Sequence, residues 1–198
     1  MSRRPAAYEI LITLAEVDPP VWRRLIVSSA MTLHELHRAI QLLFSWYDYH
    51  LYEFKFADRR FEAPNREAEG EDSTSVTLAD LNLSKGAELS YVYDFGDEWL
   101  HLIEIERMRI RSDGVDLPWL DDGERRGPPE DCGGPTGYMA LLASLRTPLE
   151  DLTDEDREKA HWAGLNFDPE EFSVEQARHS LTLASAWGVL KFTSEPEI

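Results

Sequence analysis

The sequence predicts an α+β fold: an α/β roll with a grasp-like, mostly antiparallel sheet covered by one main helix, and a C-terminal loop and helical extension. Three observations lead to that class. Apolar side chains alternate in several short segments between residues 8 and 110, one segment among them has helical periodicity with a full start signal, and beyond residue 110 acids, prolines and glycines dominate.

YEILITL places Tyr8, Ile10, Ile12 and Leu14 on one face, as in a strand with one side buried. AEVDPP makes a turn, and VWRRLIV is the return strand, with Val21, Leu25 and Val27 sharing a face. Pro19 and Pro20 lack a backbone donor and belong in the connection. In MTLHELHRAIQLLF, Thr32 caps the free backbone donors, Glu35 returns the bond and Met31 staples Leu36. Leu33, Leu36, Ile40, Leu43 and Phe44 form the stripe that lies across the sheet. His34 and His37 are helical neighbours without a further ligand at a metal spacing, and are read as surface or boundary residues.

LYEFKF is the third strand, and the polar, acidic DRRFEAPNREAEGEDST is read as a flexible loop. After the short apolar SVTLADLNL and a turn at Lys85 and Gly86, Leu89, Tyr91 and Tyr93 mark a strand, with WLHLIEIERMRI as its antiparallel return. SDGVDLPWLDDGERRGPPEDCGGP is expected to wrap as an irregular loop. Helical signals then return in GYMALLASLR, over 154–163 behind Thr153, and from 174 behind a Ser173 and Gln176 capping box, while the tail KFTSEPEI is weakly specified. The organisation is a core over 1–110 and an extension over 111–198 packed on it as one integrated domain.

The 20 basic and 38 acidic residues leave a formal charge of -18. Residues 1–60 carry 8 basic and 7 acidic side chains, so nearly all the excess lies further on. Such a surface repels phosphate backbones, and a nucleic-acid contact would have to involve Arg3, Arg4, Arg23, Arg24, Arg59 and Arg60. One cysteine, Cys132, excludes an internal disulfide and a multi-thiolate metal site. No long apolar run suggests a signal peptide or a membrane span, so a cytoplasmic protein without a membrane partner is expected.

Three clusters carry the polar chemistry. In YVYDFGDEWLH, Gly96 is suited to a tight turn at positive φ, Asp94 or Asp97 can accept backbone N–H bonds across it, and His101 falls on an apolar face beside Trp99. The DFG triplet lacks every other part of a kinase. In SWYDYHLYEF, Trp46, Asp48 and His50 alternate where a helix meets a strand, and Asp48 can fix a histidine tautomer. In GPPEDCGGPTGY, prolines restrict the approach to Glu130 and Asp131, while Gly133, Gly134 and Gly137 permit close backbone packing. This last stretch is neither a phosphate-binding loop nor a dinucleotide fingerprint. Cys132 would be a nucleophile only beside a base such as His50 or His101, and ordinary thiol packing is the favoured reading.

Taken in order, PPVWRR (19–24), TLHELHRAIQ (32–41), Trp46-x-Asp48-x-His50-Leu51-x-x-Phe54, YDFGDEWLH (93–101), PPEDCGGPTGY (128–138) and NFDPEEF (166–172) resemble the plasmid pRiA4b ORF-3-like family, also described as TnpR-like passenger proteins of mobile elements. The resemblance implies an α+β roll and a cytoplasmic protein, with no established reaction to inherit. The family pattern often has a histidine at Tyr52 and cysteines before PPED, where this chain has Trp119, Leu120 and Gly127, so a thiolate-metal site is not implied.

The candidate polar pocket is therefore Trp46, Asp48, His50, Asp94, Asp97, His101, Glu130 and Asp131, with His50, His101, Asp94 and Asp97 as the ligands for a possible divalent metal. A non-catalytic module that binds a protein or small-molecule ligand is the first expectation. A divalent-metal-dependent hydrolase and a DNA-associated accessory protein are the alternatives.

Overall fold

The computed structural model describes residues 7–63, 69–109, 117–148, 150–164, 167–188 and 190. Arg3, Arg4, the middle of the acidic loop (64–68), residues 110–116, Asn166 and the tail 191–198 lie outside the described residues.

The expected N-terminal hairpin is present, with β1 (Ala7–Leu14) antiparallel to β2 (Trp22–Ser28) and both prolines in the connection. Helix α1 (Leu33–Phe44) starts as its sequence dictates: Thr32 Oγ1 accepts the Glu35 N–H at 3.1 Å, and Glu35 Oε2 accepts the Thr32 N–H at 2.8 Å. The chain continues through β3 (Tyr52–Phe56), β4 (Arg59–Glu62), β5 (Glu71–Asp72), a single 3-10 turn at Leu78–Leu81, β6 (Glu88–Tyr93), β7 (Trp99–Arg109) and β8 (Trp119–Glu124). Helices α2 (Gly134–Arg146), α3 (Asp154–Ala163) and α4 (Val174–Ala186) follow.

The eight strands form one sheet in the order β5-β4-β3-β6-β7-β1-β2-β8, antiparallel throughout except for β4 beside β5. Inward residues of the central strands, including Ile10, Ile12, Leu25, Tyr91 and Ile103, meet the α1 stripe of Leu33, Leu36, Ile40 and Phe44. Tyr138, Leu141 and Leu142 of α2 and Leu181 and Ala184 of α4 join the same hydrophobic cluster. The helical extension thus shares the core of the roll.

Two segments read as loops contain strands. DRRFE returns along β3 as β4: Phe61 is wholly buried, while Arg59 and Arg60 reach carboxylates. WLDDGE adds β8 to the sheet beside β2: Leu120 is buried opposite Leu25, and Asp121 and Asp122 face solvent. Charged composition hid both, since an antiparallel strand needs only one buried face and tolerates charge on the other.

Two buried polar side chains also depart from the sequence reading. Arg23 shares its strand face with Val21, Leu25 and Val27 and is fully buried, where its guanidinium binds main-chain carbonyls. His37 is no surface residue. It is fully buried against Tyr52, with ring centroids 3.7 Å apart, and both its nitrogens are bonded.

The antiparallel pairing brings the end of α1, the start of β3, the β6–β7 turn and the segment after β8 to one end of the sheet. All three polar clusters belong to these connections.

Candidate metal centre

The β6–β7 turn is built around Asp94. Its N–H reaches Leu51 O at 2.9 Å, its carbonyl accepts the Glu98 N–H at 2.7 Å, and its Oδ1 accepts the Gly96 N–H at 2.9 Å. Asp94 (φ 57°) and Glu98 (φ 54°) are the left-handed residues of this turn, not Gly96 as expected. Aspartate tolerates that conformation when its side chain bonds locally. Gly96 supplies room instead, for a Cβ there would stand 3.2 Å from Asp94 Oδ1. With Oδ1 occupied by the turn, Oδ2 is left facing His50.

The connection from α1 to β3 is pinned at almost every residue. Trp46 Nε1 donates to Pro128 O at 2.9 Å, and the Tyr47 N–H donates to Glu130 Oε2 at 2.9 Å. The Asp48 N–H donates to Gln41 Oε1, and Asp48 Oδ1 lies 2.9 Å from His37 Nε2. The histidine whose tautomer Asp48 fixes is therefore His37. Tyr91 OH accepts from Gln41 Nε2 and so donates to His37 Nδ1, leaving the ring proton on Nε2 for Asp48. Trp46 and Asp48 are anchors of the loop, and His50 is the residue it presents.

The third connection is brought close by glycines. A Cβ on Gly127 would stand 2.2 Å from Phe44 O, and one on Gly134 would stand 2.3 Å from Asp97 O. Only glycine permits these backbones to touch, and Gly134 also has a positive φ of 66°. Asp131 is thereby delivered to the other two connections.

His50 Nε2 lies 3.1 Å from Asp131 Oδ1 and 3.7 Å from Asp94 Oδ2, and one donor atom from each residue falls within 4.8 Å of the others. Ion bonds of about 2.0–2.2 Å place neighbouring ligands roughly 3–3.5 Å apart, so the 3.1 Å separation already suits a shared ion and the 3.7 Å one lies slightly beyond that range. His50 Nε2 is shielded from solvent yet forms no hydrogen bond. An imidazole nitrogen beside two carboxylate oxygens can coordinate a divalent cation, and two carboxylates balance its charge. His50, Asp94 and Asp131 can hold such an ion.

The other expected pocket residues do different work. Glu130 accepts the Tyr93 hydroxyl on Oε1 at 2.6 Å and the Tyr47 N–H on Oε2. Asp97 Oδ2 accepts the Gly133 N–H at 3.2 Å. His101 lies fully buried, edge-on to Phe44 and Trp46, with Nδ1 donating to Trp99 O at 3.0 Å. Burial pushes its pKa down to about 3, which keeps it a neutral core residue outside the three-residue centre. Burial, reinforced by the nearby charges of Asp97 and Asp131, pushes the Cys132 thiol up to about 12, so it stays protonated and unreactive at neutral pH.

Tyr93 was not among the expected site residues, although it adjoins Asp94 in sequence. Its hydroxyl donates to Glu130 and accepts the N–H groups of Tyr49 at 3.0 Å and His50 at 3.4 Å, tying the loop of His50 to that of Asp131. Tyr93→Phe is expected to weaken divalent-ion binding by about 10- to 100-fold, as loss of support behind metal ligands does elsewhere. Titration of manganese into this variant, with circular dichroism to verify the retained fold, measures the effect.

Among the described residues the early arginines make no cationic groove. Arg23 is buried, Arg24 pairs with Glu106, Arg59 with Glu71, and Arg60 with Glu53 and Glu62. Among the described residues no helix is long and apolar enough to cross a membrane.

An uncharacterised protein, y4hQ, of Sinorhizobium fredii (strain NBRC 101917 / NGR234) is 37% identical over 156 residues, 77% of this chain and 78% of its own. The crystal structure of MM3350, a protein of unknown function from Methanosarcina mazei Go1, superposes with a TM-score of 0.78 at 30% identity, covering 87% of this chain and 98% of that one. Residues 6–176 match the family described as plasmid pRiA4b ORF-3-like protein. With the fold, the motifs and these similarities in agreement, the chain belongs to the plasmid pRiA4b ORF-3-like family.

Proposed function

We propose that the protein is a cytoplasmic ligand-binding module whose binding centre is a divalent cation held by His50, Asp94 and Asp131. The observation that carries this reading is His50 Nε2, out of solvent, without a hydrogen bond, and 3.1 and 3.7 Å from two carboxylate oxygens. Three protein ligands leave positions open on the ion, as sites that take an exogenous ligand do.

Binding is favoured over ion-assisted hydrolysis by the state of the neighbouring groups. A hydrolase would need a base for the ion-bound water. Both oxygens of Glu130 are engaged by Tyr93 and Tyr47, and the Cys132 thiol is held protonated. A DNA-associated role draws no support from Arg24, Arg59 and Arg60, whose charges are met by carboxylates.

Calorimetric titration of the metal-free protein with manganese is expected to reveal one site per chain, with affinity reduced at least about 100-fold in His50→Ala. The side chain of His50 is 30% exposed, so the variant should fold. Equal manganese affinity in the wild type, His50→Ala, Asp94→Asn and Asp131→Asn would overturn the proposal.

A further inference from the structure

The two connections that carry His50 and Asp94 also carry four large apolar side chains turned to solvent: Tyr47 (72% exposed), Tyr49 (74%), Leu51 (52%) and Phe95 (51%). Each lies within three residues of a proposed ion ligand. Tyr47 and Tyr49 stack on one another with centroids 5.6 Å apart and planes 21° apart. Their backbones are fixed, since the Tyr47 N–H binds Glu130 and the Tyr49 N–H binds the Tyr93 hydroxyl. Rings held out from an anchored backbone offer contact area at little entropic cost, the property that enriches tyrosine in binding surfaces. Their folded-state packing does not account for them, because most of each ring's area faces water.

Resting on the divalent-ion reading of the same centre, we infer that its ligand joins a flat aromatic ring to an oxyanion. The oxyanion fills open positions on the ion, and the ring lies against the Tyr47 and Tyr49 pair. Oxygen donors suit an ion bound through carboxylates. A chain of charge -18 repels anions over most of its surface, so an oxyanion is drawn only to the point where a cation has neutralised Asp94 and Asp131. The aromatic half then supplies the selectivity that the ion alone lacks, since stacking is tolerant of ring identity but demands a ring. A nucleoside phosphate and an aryl carboxylate both satisfy this chemistry.

Calorimetry on manganese-loaded protein separates these sources. Adenosine monophosphate is compared with ribose phosphate, and benzoate with acetate, on the wild type and on a Tyr47→Ala, Tyr49→Ala double variant. At least one ringed ligand is expected to bind about tenfold more tightly than its ringless counterpart, and the pair that discriminates identifies the oxyanion. That preference should vanish in the double variant, while manganese affinity, measured first, stays unchanged. Equal binding of ringed and ringless ligands to manganese-loaded wild type overturns the inference and leaves the ion site standing, as does a preference that survives in the double variant. Absence of manganese binding in the first titration overturns both.

Discussion

Replacing Arg23 by methionine is expected to remove most of the stability of the fold. The guanidinium donates from Nε to Leu43 O at 3.0 Å, from Nη1 to Trp22 O at 2.7 Å and Glu124 O at 2.8 Å, and from Nη2 to Arg125 O at 2.8 Å. Leu43 stands in the last turn of α1, where carbonyls have no helical partner, and Glu124 and Arg125 lie where the chain leaves β8. One side chain therefore closes the backbone of three elements. Its charge is met by these carbonyls and by the faces of Phe172, 3.7 Å away, and Phe44, 4.9 Å away. Burial lowers its pKa to about 9, so it remains protonated at neutral pH.

Methionine fills much of the same volume but leaves these acceptors without a donor. A buried polar group stripped of its partner costs about 1–3 kcal/mol, and several at once approach the 5–15 kcal/mol that holds a typical domain together. Urea unfolding followed by circular dichroism measures the loss. A midpoint equal to that of the wild type in Arg23→Met would contradict the structural role assigned here.

The second large effect is acid destabilisation driven by buried histidines. His101 has an ordinary pKa of 6.5 when exposed and about 3 in the folded protein, because burial disfavours its charged form. Below pH 6.5 the unfolded chain takes up a proton that the folded chain refuses, so stability falls as pH falls and continues to fall until about pH 3. At roughly 1.4 kcal/mol per pH unit, His101 alone removes about 2–3 kcal/mol between pH 6.5 and 4.5. His37 acts in the same direction: burial lowers its pKa, opposed by the Asp48 carboxylate bonded to it. Carboxylates held below their usual range, such as Asp72 and Asp156 bonded to threonines, contribute only at more acid pH. Urea titrations at pH 7.5 and 4.5 on the wild type and His101→Leu should find the gap between the two proteins narrowing by about 2–3 kcal/mol at the lower pH. A gap independent of pH would refute the assignment of His101 as a neutral core residue.

Much of the frame was legible because local signals and burial agree. Thr32 and Glu35 close the α1 box as read, Thr153 caps α3, and strand parity placed Tyr8, Ile10, Ile12 and Leu14 inward. Ser173 also caps α4 through the Gln176 N–H. The same parity, applied without regard to polarity, would have placed Arg23 inside with Val21, Leu25 and Val27. Charge masked it, because three of the four carbonyls that accept its donors, those of residues 43, 124 and 125, are distant in sequence.

The site was legible as three clusters but not as a constellation. Asp48 and His50 are two residues apart and looked like a pair, yet the left-handed Asp48, φ 59°, turns its carboxylate toward His37 on α1. His101 lies beside Trp99 on the apolar face, as read, and outside the cluster of His50, Asp94 and Asp131 that could hold an ion. Asp131, not Asp97, stands in that cluster, since Gly134 packs on Asp97 O and the Asp97 carboxylate accepts the Gly133 N–H. Such choices depend on which backbone atoms lie within 3 Å after folding, and no pattern along one chain encodes them.

Anomalous diffraction from crystals grown with divalent manganese tests the ion site of His50, Asp94 and Asp131 most directly. One strong anomalous peak is expected about 2.0–2.3 Å from His50 Nε2 and from a carboxylate oxygen of both Asp94 and Asp131, with further density at its open positions. Crystals of manganese-supplemented protein with no anomalous peak among these three residues, or with the only peak elsewhere on the acidic surface, would contradict it.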